Sequence, residues 1–120
     1  MSVVAFAKKE IGWPGPMCLL YEWVLGAGDT GTPVKLPYNT DVTVQVMAIA
    51  GATITWQGTL DEAAAPTVYG TLNKAKDGTA LTQVAAGDIQ GVVEHPLQYR
   101  PSSAGGTATV RLVATKQWKD

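Results

Sequence analysis

The residues Leu25 to Pro33 read LGAGDTGTP, and Gly26-Ala27-Gly28-Asp29-Thr30-Gly31 spells G-x-G-x-x-G after the apolar run 19–25. Phosphate binding by that pattern needs a helix to start at the glycines, because the first-turn amides and the helix dipole hold the anion. Here Thr32-Pro33-Val34-Lys35-Leu36-Pro37 follows, and Pro37 would break the second turn of such a helix. No acidic residue stands about 20 residues further on to bind a ribose, since Asp41 is too early and Asp61 too late. The glycines are therefore expected to form a turn, with Asp29 and Thr30 bonding its backbone.

The other reactive residue types are sparse. His95 is the single histidine and sits before Pro96. The serines are Ser2, Ser102 and Ser103, and no G-x-S-x-G elbow surrounds any of them. Cys18 is the single cysteine, which excludes an intrachain disulfide and a multi-cysteine zinc site. Its setting, MCLLY, suggests a buried inert thiol. Asp61 and Glu62 are adjacent, so on a strand they would point to opposite faces, away from any shared glycosidic bond. Asp61, Glu62, Asp77 and Asp88 offer oxygens for calcium, but no D-x-D-x-D-G loop holds them. No cofactor and no catalytic set is expected, and the chain reads as something other than an enzyme.

The elements that carry these residues look like strands. Asp41 to Ala50 alternates Val42, Val44 and Val46 against Thr43 and Gln45, and 52–60 alternates Ile54 and Trp56 against Thr53, Thr55 and Gln57. Only Gly51 separates the two runs, which requires a tight hairpin or a sharp bend. Strands are also expected at 19–25, 67–75 (half-buried, with Val68 and Leu72 on rows two apart) and 107–115, and 81–94 should hold two short strands or one bulged strand. DEAAAP (61–66) and HPLQYRPSSAGG (95–106) read as loops, and Asp77-Gly78 as a turn. No window has a capped 3.6-residue apolar period. Thirteen glycines and seven prolines punctuate the chain at the spacing of a sandwich or barrel. The expected fold is all-β: an antiparallel β-sandwich or jelly-roll-like barrel of about seven to eight strands.

Residues 1–18 differ from the rest. Gly12, Pro14, Gly15 and Pro16 break regular structure there, and Phe6, Trp13 and Met17 are large apolar side chains without periodicity. This stretch is expected to be an extended N-terminal arm, on its own domain or on a neighbour, with 19–120 forming a single β-sandwich domain. Trp56 belongs to the core row, whereas Trp118, in KQWKD, either folds back or packs on a partner. Phe6, Trp13, Met17 and Trp118 are the candidate interface residues, since buried aromatics are the usual interface hot spots.

Composition narrows the partners. Apolar residues make up 46% of the 120-residue chain, enough for one packed core, but charged residues only 16%. A typical soluble domain has about a quarter, so this surface is expected to be covered in a permanent assembly. With a net charge of −1 and Lys8-Lys9 the one adjacent basic pair, nucleic acid is not expected as a partner. No basic n-region precedes a long apolar stretch and no apolar run reaches 18 residues, so neither a secretory signal nor a membrane partner is expected.

Residues of about 26–115 also resemble a family, the small head decoration (cement) proteins of tailed bacteriophages. The resemblance lies in GDTGTPV…LP, the DVTVQVMAIAGAT run (41–53), WQGTLD (56–61), DGTALT (77–82), AAG (85–87), EHPLQYRP (94–101) and the final TATVRLVAT. The chain departs from the family at DEAAAP, where a Gly-bearing turn is expected. The resemblance implies a sandwich or jelly-roll domain made in the host bacterial cytoplasm and carried on the outer surface of the virion capsid. Its implied partners are the major capsid protein and further copies of itself, as a dimer or trimer. It implies capsid stabilisation across joints between subunits. A phage tail or baseplate component and a carbohydrate-binding β-sandwich module remain as alternatives.

Overall fold

The structure, a computed structural model, describes residues 3–12, 17–36 and 40–116, with the side chains of 8–12, 17 and 116 left aside. Among the described residues every regular element is a strand. They are β1 (Val3–Val4), β2 (Ala7–Gly12), β3 (Met17–Leu25), β4 (Thr30–Gly31), β5 (Val34–Lys35), β6 (Thr40–Ala50), β7 (Thr53–Thr59), β8 (Gly70–Thr71), β9 (Thr82–Gln83), β10 (Ile89–Gly91), β11 (Gln98–Ala104) and β12 (Thr107–Lys116). One sheet has the order β10-β6-β12-β3-β2. The other runs β1-β4-β11-β7-β8, with β5 also beside β11 and β9 beside β7. Every strand pair is antiparallel except β1 with β4.

The two sheets form a jelly-roll-like β-sandwich, and period-two alternation decides which residues fill it. In β6, Val42, Val44 and Val46 point inward; in β3, Leu19, Tyr21, Trp23 and Leu25; in β7, Ile54 and Trp56; in β12, Ala108, Val110, Leu112 and Ala114. Trp23 and Trp56, both 0% exposed, meet edge to face with ring centroids 5.8 Å apart at the centre. The Trp56 indole N–H donates to Gln83 Oε1 at 2.8 Å, and Gln83 Nε2 donates on to the Asp88 carbonyl at 2.9 Å. That chain satisfies the polar atoms of a glutamine that is almost fully buried.

Gly51 is a bend between sheets and not a hairpin. At φ +71° it lets the chain leave β6 in one sheet and enter β7 in the other, and the two strands do not pair. Cys18 is half-buried, not buried: β3 points Leu19 inward, so Cys18 faces outward, where its Sγ lies 3.9 Å from Thr115 Oγ1. Residues 3–12, part of the expected arm, are extended and hydrogen-bonded into both sheets, β1 on β4 and β2 on β3.

Two loop and strand expectations are corrected. Of 67–75 only Gly70–Thr71 is a strand, and Val68 is 73% exposed while Leu72 is buried. Conversely 95–106, expected as a loop, contains β11, the strand between β7 and β4. Pro101 hid it, because proline cannot donate to a ladder. The Ser103 amide donates to the Asp29 carbonyl at 2.8 Å, so alternate residues of β11, Pro101 among them, present their amide position to the β4/β5 side. Pairing there is interrupted between Gly31 and Val34, and Pro101 sits beside the gap.

Candidate functional site

The glycine-rich stretch is a turn followed by a packing site. Asp29 N–H donates to the Gly26 carbonyl at 3.1 Å, and Asp29 Oδ2 accepts from Gly26 N–H at 2.8 Å. Gly28 takes φ +75°. Gly31, the last glycine, lies against Trp23: a Cβ placed there would fall 2.5 Å from the indole and 2.7 Å from Pro101. The Trp23 N–H donates to the Thr32 carbonyl at 3.1 Å. No helix begins here, and the missing side chain is replaced by an indole.

The interior of a small β-barrel holds either side chains or one small ligand. Here it is filled by Trp23, Trp56, Leu81 and Leu112, each 0% exposed, and by their buried neighbours. Among the described residues no group of three His, Cys, Asp or Glu side chains gathers to hold a metal. No helix among them is long and apolar enough to cross a membrane.

A cleft of about 540 Å³ opens beside the end of β7 and β8. Gly58, Thr59 and Leu60 at the end of β7, residues 68–72 around β8, and Glu94, His95 and Pro96 line it. Its floor is tight: a Cβ on Gly58 would meet Pro96 at 2.6 Å and Leu72 at 2.8 Å. Its β8 side is empty, since a Cβ on Gly70, the cross-strand partner of Gly58, would meet nothing within 4 Å. Leu60 and Val68 in its wall are 76% and 73% exposed. Val93 and Leu97, which flank the lining residues 94–96, are also exposed.

Polar contacts fix the walls. Glu94 Oε1 accepts the Asn73 backbone N–H at 2.8 Å and Oε2 accepts Asn73 Nδ2. Burial would raise the Glu94 carboxyl, but hydrogen bonds from the Asn73 amide, its own amide and the Asn73 side chain outweigh it and hold the group below the ordinary carboxylate range. Gln98 Nε2 clamps the 61–66 loop by donating to the Asp61 and Ala63 carbonyls, each at 2.9 Å. The Arg100 guanidinium lies 3.5 Å from the Tyr69 ring centroid while its Nε donates to Gln57 Oε1 at 2.8 Å. Burial raises the Tyr69 hydroxyl, with Arg100 opposing. Burial and then Glu94 push Tyr99, under the same end, up to about 12.

The sequence singled out His95 and the Asp61-Glu62 pair, and the structure places His95 in the cleft wall. Asp61 serves the loop, its Oδ1 accepting from Ala63 N–H, and the Glu62 carbonyl accepts from Lys35 Nζ. Of the candidate interface residues, Phe6 is half-buried with its ring edge-on to Tyr21 (5.1 Å) and Trp23 (5.8 Å). Met17 opens β3 opposite Gly12. Trp13 and Trp118 lie outside the described residues. Gly70, Glu94 and Tyr69 were not foreseen as a group. Their link is the β7–β8 register and the packing of Pro96 over Gly58, and no local spacing encodes either.

The fold therefore defines a class, the antiparallel jelly-roll-like sandwich with a filled interior. Comparison with known proteins agrees at that level. No protein-family model matches the chain, and no curated protein matches it. Among solved structures, a cupin domain from Bordetella pertussis Tohama I is similar with a TM-score of 0.51 at 10% identity, over 98% of this chain and 99% of that one. Drosophila melanogaster CENP-C bound to CAL1 gives a TM-score of 0.42 at 8% identity, over 89% of this chain and 76% of that one.

Proposed function

We propose that the protein is a structural virion component, a decoration or cement protein that binds the outer surface of a tailed-phage head and stabilises joints between major capsid subunits. The observation that carries this reading is the exposed apolar surface at the cleft, Leu60 and Val68 in its lining and Val93 and Leu97 next in sequence to its lining residues 94–96. Exposed apolar surface at a cleft marks an interaction site. The low charge of the chain and the resemblance over 26–115 support the same reading. A rigid sandwich suits the role: each copy contributes modest binding energy across a joint, and many copies together oppose the outward pressure of packaged DNA. Fold alone does not choose among the functions that jelly rolls host, so the proposal rests on surface and resemblance.

The test is an electron-microscopy map of the virion encoded with this chain. Density for the sandwich on the outer capsid surface, lost when Leu60 and Val68 are both changed to Asp, is the expected result. Density confined to the tail or baseplate, or rings formed by the pure protein in negative stain, would replace this reading with the tail alternative.

A further inference from the structure

The β8 edge of the cleft is an unfinished strand position. Leu72 N–H donates to the Trp56 carbonyl at 2.9 Å and Gly70 is opposite Gly58, so Gln57 and Thr71 form a non-hydrogen-bonded pair. The N–H and C=O of Thr71 therefore point away from β7. Two residues further on, that side of the chain is occupied: Val93 N–H donates to the Asn73 carbonyl at 3.1 Å, and Glu94 accepts the Asn73 N–H. Beyond Glu94 the chain turns off through His95, and Pro96 closes over Gly58. Residues 93–94 thus act as a neighbouring strand for Asn73 and abandon it before Thr71. Among the described residues β8 ends its sheet, and Thr71 faces the cleft with no strand beside it.

The surroundings suit an incoming strand. Gly70 leaves open space in a cleft that Leu60, Val68 and Pro96 also line, with room for one side chain of an added strand. The Glu94 carboxylate is held ionised by Asn73, and no cation pairs with it among the described residues. Asp61 and Glu62 follow Leu60 in the chain, but Lys35 reaches the Glu62 carbonyl and Arg100 lies over the Tyr69 ring, so Glu94 is the carboxylate that selects a cation here.

From these observations we infer that the cleft binds an extended segment of another protein by strand addition to β8, with an apolar side chain over Gly70 and a Lys or Arg beside Glu94. The backbone of Thr71 supplies the ladder bonds, the recess selects an apolar residue, and Glu94 selects a cation. The inference stands on the cleft alone and holds whichever particle or complex the protein belongs to.

The test uses the full chain, isotope-labelled for NMR, and blocked hexapeptides of valine and threonine carrying one central lysine or one central glutamate. The lysine peptide is expected to shift the Gly70, Thr71 and Glu94 amides, slow Thr71 amide exchange by ~10-fold at saturation, and bind ~5-fold tighter than the glutamate peptide. Glu94→Gln should erase that preference. Gly70→Leu, which fills the recess while leaving the melting temperature near that of the parent, should weaken binding by ~10-fold or more. Four outcomes would overturn the inference. They are no shifts at millimolar peptide, Thr71 exchange unchanged on binding, phenethylamine producing the same shifts at the same affinity, or concentration-dependent shifts at these residues without peptide, which would assign the cleft to a second copy.

Discussion

Gly31 and Gly70 sit on two-residue strands of the same sheet, and neither carries a side chain where its neighbours face the sandwich interior. At Gly31 the missing Cβ is replaced by the Trp23 indole, which Pro101, Phe6 and Tyr21 hold in place. At Gly70 nothing takes its place, and the void opens into the cleft. The first glycine belongs to stability and the second to recognition. A residue type does not distinguish them; what arrives from across the fold does.

That contrast can be broken by substitution. Trp23→Ala removes a fully buried ring and its bond to Thr32, and should destabilise by about 3–5 kcal/mol in urea unfolding. Gly31→Val forces a side chain into the same indole and should cost about 1–3 kcal/mol. The double variant Trp23→Ala/Gly31→Val tests whether they share one space: it should cost clearly less than the two single variants added together. Additive losses would show that Gly31 is needed for its backbone and not for the indole. Gln83→Leu leaves the Trp56 N–H without an acceptor in the core and should cost about 1–3 kcal/mol by the same measurement.

Titration sharpens the cleft end. Tyr99 titrates near 12 in the fold against an ordinary 10.0, so its contribution is full below pH 10 and is lost as pH rises toward 12. Glu94 is depressed below its ordinary 4.5, so its contribution is present above that pH and is lost as pH falls through the folded value. Unfolding midpoints followed across pH should therefore decline at both ends, with Tyr99→Phe flattening the alkaline limb and Glu94→Gln the acid limb. The smallest effect is expected at Gly70→Ala. It should be neutral or stabilising by up to about 1 kcal/mol, because it enters open space at an ordinary backbone angle. A loss of 2 kcal/mol or more there would remove the distinction between the two glycines.

Much of the sandwich was legible in the residues. Val42, Val44 and Val46, the Ile54–Trp56 row and the 107–115 alternation each declare their inward face, because a strand's side chains repeat every two residues whatever lies opposite. The prolines after Gly31 argued for a turn and against a helix at the glycines, and a turn stands there. The turn chemistry of Asp29 was legible too, since Asp bonds its own nearby backbone. What failed was the reading of β11 as a loop: Pro101 breaks the local rule, and only the gap between β4 and β5 makes it tolerable. Val68 failed for the opposite reason, a strand-like residue in a stretch that finds no ladder before Gly70.

By itself, then, the sequence determined an all-β chain, its inward rows, its turns and the scarcity of charge. Those properties depend on neighbours within a few residues or on composition. The tertiary structure decided that Gly31 receives an indole, that Phe6 turns its ring onto Tyr21 and Trp23, and that Gly58, Gly70 and Glu94 meet in one cleft. These depend on which strands pair and in what register, between residues from eight to 36 positions apart. A void is a property of what fails to arrive there, which no short stretch of residues can state.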